Sequence, residues 1–145
     1  MKSKLKAFSI VELMALLALV SILAIIAMPA YESHAKQQKI GKAMSALVGV
    51  KSAVIKFYRE QEAFPVSNSQ AGLKVPSEYA GNYIAAISLG VAPAPGTITV
   101  ELKVKGLGSA NRIQLVPSYN GKVFTWVCQP AAVNGVKPNF LPSRC

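Results

Sequence analysis

One carboxylate sits where carboxylates are expensive. Glu12 lies inside an apolar run from Phe8 to Ala30, whose other interruptions are Ser9, Ser21 and Pro29. A lone charge in a membrane-spanning helix costs on the order of 3 kcal/mol, so Glu12 calls for a positive partner. A chain cut just before Phe8 would supply one, a free amine four residues away. Within one helix that amine lies about one turn from the carboxylate. Between two staggered copies the same pair would fix axial register.

Two further sets of residues carry chemistry. Cys128 and Cys145 are the only cysteines. Two can form one bridge, whereas a zinc site needs more ligands than these with His34 far away. A disulfide places the C-terminal part outside the cytoplasm. The second set is basic: Lys103, Lys105, Arg112, Lys122, Lys137 and Arg144 all follow Glu101, the last acid. If Lys103 and Lys105 share an outer sheet face with Arg112 or Lys122, a stripe forms that can hold a phosphate backbone without reading sequence. The alternative is a set of ordinary solvated cations meeting acidic glycans and other anionic surfaces. Few aromatics lie outside the expected core, so base-specific recognition finds no support.

The acid inventory excludes much else. All six acids are Glu, at 12, 32, 60, 62, 78 and 101, against 16 Lys and Arg, and His34 is the only histidine. Paired-carboxylate catalysis, a Ser/His/Asp triad and an acid-rich metal cage lack their groups. No enzyme activity and no cofactor are expected.

The elements that position these residues follow from periodicity. The run from Phe8 to Ala30 is near the ~20 residues that cross a bilayer as a helix. Lys2, Lys4 and Lys6 ahead of it belong on the cytoplasmic side, leaving the C-terminus outside. A secretory signal cut after Ala27 or Ala30 and a plain single-pass anchor are competing readings. Neither explains Glu12. The helical pattern also runs on, with Ile40, Met44, Leu47, Val54 and Tyr58 forming an apolar stripe and Lys36, Lys39, Lys42, Lys56 and Arg59 off it. From Phe8 to Glu60 the helix would be ~80 Å long, with soft points at Pro29 and Gly49. Residues 61–96 read as a connection rich in Gly and Pro, with one short helix or strand around Tyr79–Leu89. Ile98, Val100, Leu102 and Val104 then alternate with polar residues as a strand facing the helix. Gly106–Ser109 forms a turn, and Arg112–Leu115 alternates again. Asn120-Gly121 signals a type I′ hairpin into a third strand, Lys122–Cys128, with Phe124, Trp126 and Cys128 on one face and Trp126 in the core.

Lys6-Ala7-Phe8-Ser9-Ile10-Val11-Glu12-Leu13-Met14 resembles the processing signature of type IV prepilins. The short leader resembles the type IVa branch. The resemblance implies cleavage between Ala7 and Phe8, N-methylation of Phe8, an assembly role for Glu12 and a helix kink at Pro29. Ala7 stands where the family usually has Gly; it is also small, so cleavage is expected. Trp126-Val127-Cys128 with Phe140-Leu141-Pro142-Ser143-Arg144-Cys145 is similar to the C-terminal disulfide region of these pilins. The implied fold is α+β: one long helix, transmembrane in its first half and amphipathic in its second, packed on a small antiparallel sheet with a C-terminal disulfide loop. The implied segments are a leader at 1–7, a polymerisation half at 8–30, an amphipathic half at 31–60, a connection at 61–96, a sheet at 97–127 and a loop at 128–145.

The resemblance also implies partners: other pilin subunits, a prepilin peptidase, the inner-membrane assembly machinery with its ATPase, and an outer-membrane secretin. The chain would sit in the inner membrane, C-terminus in the periplasm, and then in an extracellular fimbrium serving adhesion, twitching motility or DNA uptake. One alternative is a minor pilin binding DNA for natural transformation. Another is a type II secretion pseudopilin, against which the C-terminal loop and the absence of Asp for a calcium site both weigh.

Overall fold

The computed structural model describes residues 7–143 and Cys145, so the leader lysines and Arg144 lie outside the described residues. Two helices come first, α1 (Ile10–Ser45) and α2 (Val48–Gln61). Four strands follow: β1 (Ile84–Gly90), β2 (Thr97–Leu102), β3 (Arg112–Tyr119) and β4 (Phe124–Pro130). Short 3-10 helices occupy Pro76–Tyr79 and Pro138–Phe140. The chain divides after His34 into two compact units.

In the first unit, every residue from Ala7 to Glu32 is exposed. Leu17 is 59% and Ile25 is 74% open, and this stretch buries no apolar side chain. Of the two soft points read from the sequence, Pro29 lies inside α1 without ending it. The helix instead breaks at Ala46–Leu47, just ahead of Gly49, for a local reason. The Ser45 hydroxyl donates to the Lys42 carbonyl at 2.7 Å. That carbonyl would otherwise take the Ala46 amide. The Ala46 N–H turns to Ala43 O at 3.2 Å, and the Leu47 N–H to Met44 O at 3.1 Å. A serine thus competes with the helix ladder and tightens it into a 3-10 turn.

The second unit is a helix seam on a sheet. Ile40, Leu47 and Val54 of the expected stripe are buried, joined by Ala43 and Val50, while Met44 and Tyr58 are only partly buried. The sheet is antiparallel in the order β1-β2-β3-β4. Ile98, Val100 and Leu102 on β2 and Ile113 and Leu115 on β3 fill the core together with Val104. Trp126 is partly buried against that core, and Phe124 and Cys128 alternate with exposed Thr125 and Val127. The segment 61–96 holds both a 3-10 helix and β1, so the sheet begins at Ile84 rather than at Thr97.

The turn after β3 is not type I′. Only Gly121 has positive φ (86°), and the strands part at Tyr119 and Phe124. Asn120 stays at negative φ because its side chain closes the turn: Oδ1 accepts from Lys122 N at 3.0 Å and Val123 N at 2.9 Å. An Asx-type cap replaces the two-residue backbone turn.

Asn68 clamps the connecting segment to the sheet's free edge. It is buried, and its Nδ2 donates to Lys74 O at 2.8 Å and Ile87 O at 3.0 Å. Its Oδ1 accepts from Leu89 N at 2.7 Å. The edge groups of β1 are thereby satisfied without a fifth strand. Asn68→Ala should leave a buried donor and two acceptors unpaired and lower stability by about 2–3 kcal/mol. Hydrogen exchange of the detergent-solubilised chain reads it: the Leu89 amide should lose protection, and unchanged protection would mean that the clamp is dispensable.

Candidate functional site

The N-terminal residues are positioned by the first turn of α1. Ala7, Phe8 and Ser9 precede the helix, and Phe8 is 79% exposed. The Ser9 amide donates to Glu12 Oε2 at 2.9 Å, and Leu13 N to Ser9 O at 3.0 Å. Glu12 therefore caps its own helix from the first turn, where the dipole favours a negative charge. Its other oxygen, Oε1, accepts no hydrogen bond among the described residues. One half of the carboxylate is held and the other is presented. Further along, Ser21 Oγ donates back to Leu17 O at 2.7 Å, so this hydroxyl is satisfied within the helix. That arrangement suits lipid, which offers no hydrogen-bond partner.

The fold does not bring the six basic positions into one stripe. Arg112 opens β3 and its Nη2 meets Glu101 Oε2 at 3.1 Å across the β2–β3 pair. Its backbone also gathers the C-terminal loop, donating to Asn134 O at 2.8 Å and accepting from Val136 N at 3.0 Å. Lys103 and Lys105 lie beyond the end of β2, both exposed. Lys137 is exposed ahead of the 3-10 helix Pro138–Phe140. Lys122 lies past the other end of β3, a strand's length (~25 Å) from Arg112. Arg144 lies outside the described residues.

Lys122 belongs instead to an open cleft of about 430 Å³ with Tyr58, Arg59, Glu62, Tyr119 and Phe124. Tyr119 stacks on Phe124 at 4.4 Å, and Tyr58 meets both rings edge-on at 5.3 and 5.4 Å. Sequence reading placed Tyr58 and Phe124 on core faces but missed that they meet here. The meeting depends on β3–β4 register, which only the longer Asn120 turn sets. Lys36 over the Phe140 ring, 4.7 Å from its centre, was likewise invisible in the sequence, because the two are joined only by tertiary packing.

The cysteines at 128 and 145 are joined, with Cα atoms 5.3 Å apart. The bridge ties the chain terminus to the edge strand β4. Beside it, Lys51 of α2 places its Nζ 5.6 Å from the Trp126 ring centre. Burial lowers the Lys51 pKa below 10.5. The unfolded chain then binds this proton more tightly than the folded chain, so the residue's contribution to stability rises as pH climbs towards 10.5. Lys51→Met keeps the stem over Trp126 and removes the charge. It should raise the thermal midpoint at neutral pH and flatten the rise in stability on the approach to pH 10.5. An unchanged pH profile would show that burial does not penalise the ammonium.

Comparison with known proteins agrees with this architecture. Residues 39–145 match the model of the pilin family of bacterial filaments. The fimbrial protein EcpC of Eikenella corrodens is 29% identical, the match covering 100% of this chain and 93% of the relative. A fimbrial protein of Neisseria meningitidis serogroup B is 32% identical over 100% of this chain and 96% of its own length. A type IV major pilin protein, PilE1, of Neisseria gonorrhoeae is 28% identical over 100% and 89%. An apolar helix exposed along its first half, a four-stranded antiparallel sheet and a terminal disulfide accompany these matches. The chain therefore belongs to the pilin family, as a type IV pilin and structural subunit of a bacterial filament.

Proposed function

We propose that the chain is processed between Ala7 and Phe8 and then polymerises through residues 8–30 into a type IV pilus. The observation that carries this reading is the exposed apolar helix with one half-engaged carboxylate at its head. Before assembly the helix rests in the inner membrane with the second unit in the periplasm. In the filament the apolar side chains pack against those of neighbouring copies. Glu12 takes the methylated Phe8 amine of a neighbour on the oxygen that Ser9 leaves open.

Relatives named as fimbrial and as major pilin proteins support a principal subunit; the roles proposed for its filament are adhesion, twitching motility or DNA uptake. The prepilin peptidase and the inner-membrane machinery are the partners this route requires. A minor, DNA-binding pilin draws less support, since Arg112 is already neutralised by Glu101 and Lys122 lies far from Lys103 and Lys105.

Glu12→Ala tests the pairing. The variant should insert and be cleaved, yet the yield of sheared filaments should fall about tenfold or more, the effect of losing ~1.4 kcal/mol per subunit contact. A normal filament yield would show that the carboxylate does not set register.

A further inference from the structure

Three lysines from separate stretches of sequence lie towards one end of the second unit. Lys36 Nζ sits 4.7 Å from the Phe140 ring centre, and the next residue, Gln37, donates its Nε2–H to Asn139 O at 2.7 Å. These contacts fix α1 to the 3-10 turn that follows Lys137. On its other side Lys36 packs on Gly106, so closely that a Cβ added there would lie 3.1 Å from Cε and 3.3 Å from Nζ. Gly106 adjoins the exposed Lys105. Lys36, Lys105 and Lys137 thus share one end of the fold. Glu101, the one acid among the four strands, is engaged by Arg112.

Chain length limits how far this end can stray from the apolar run. Lys36 lies six positions after Ala30, a tether of about 20 Å even when fully drawn out. A headgroup layer of ~6 Å, a Debye length of ~8 Å and the reach of a lysine side chain cover that span. We propose that Lys36, Lys105 and Lys137 form a collar that binds anionic phospholipid headgroups on the periplasmic leaflet while the subunit awaits assembly. The proposal rests on the reading that residues 8–30 span the membrane. Charge complementarity selects the occupant: phosphates offer acceptors at the depth to which the tether confines Lys36, with Lys105 and Lys137 at the same end of the unit. The collar would hold the second unit down on the leaflet, and extraction into the filament would break these contacts along with the lipid contacts of the helix.

The test uses the full chain reconstituted into vesicles of phosphatidylcholine alone or with phosphatidylglycerol. A membrane-impermeant acylating reagent labels exposed amines, and peptide masses give the rate at each lysine. Lys36, Lys105 and Lys137 should react about fivefold more slowly on the anionic vesicles, the effect expected for a lysine at such a surface. High salt should erase the difference. Lys56 and Lys122, outside this cluster, should react alike on both. In the double variant Lys105→Glu with Lys137→Glu, protection of Lys36 should disappear. Equal rates for the three lysines on both vesicles would overturn the collar. So would equal protection of Lys56 and Lys122, which would mean diffuse attraction of the whole basic chain. Washing with alkaline carbonate separates the two readings. A chain that stays inserted without protection refutes the collar alone, whereas a chain that is stripped off refutes the spanning helix and the collar with it.

Discussion

The first half of α1 leaves its apolar side chains exposed among the described residues. From Ala7 to Glu32 every residue faces outward, and most are Leu, Ile, Val, Ala or Met. Burying such side chains is worth about 1.5–3 kcal/mol each, so a helix of this composition left in water would be far from its free-energy minimum. Lipid or other copies of the same helix must cover it. Both covers are apolar, which lets a subunit move from one to the other with little change in hydrophobic free energy. What distinguishes them is polar: a carboxylate unfavourable in lipid gains where a neighbour brings it a positive charge. In the assembly we propose, Glu12 is the term that favours the filament over the membrane.

The second unit serves this arrangement by anchoring the rest of the helix. Ile40, Leu47 and Val54 are fully buried, so the C-terminal part of α1 and all of α2 are fixed on the sheet. The sheet's two edge strands are tied to the rest of the unit by different means. Asn68 satisfies the edge groups of β1. At β4 the disulfide and the loop gathered by the Arg112 backbone hold the terminus in place. Glycine matters at one position there: a side chain at Gly135 would collide with the Ala131 carbonyl. Exposed strand edges invite pairing with other chains, and a subunit stored at high density has reason to close them.

Much of this was legible in the residues. The seam at Ile40–Val54 follows helical spacing, and the alternation of Ile98, Val100 and Leu102 gave β2 with its correct face. The cysteine pair and the apolar run were equally plain. What the sequence hid was set by side chains acting on backbone. Ser45 broke the helix where only Pro29 and Gly49 looked weak. Asn120 made a four-residue turn from a dipeptide that suggested a two-residue one. The strand β1 was obscured by the Gly and Pro residues around it. The basic residues were visible individually but not as a surface. Their grouping depends on tertiary contacts such as Lys36 with Phe140, which bring together residues a hundred positions apart.

The proposed filament role requires the chain to be cut before Phe8 and then packed, bridged, into the filament. Intact-mass measurement of subunits from filaments sheared off cells tests this directly. The predicted species is residues 8–145 plus one methyl group and minus two hydrogens, as the abundant component. A full-length chain confined to the membrane fraction, or absence of the processed chain from filaments, would contradict it.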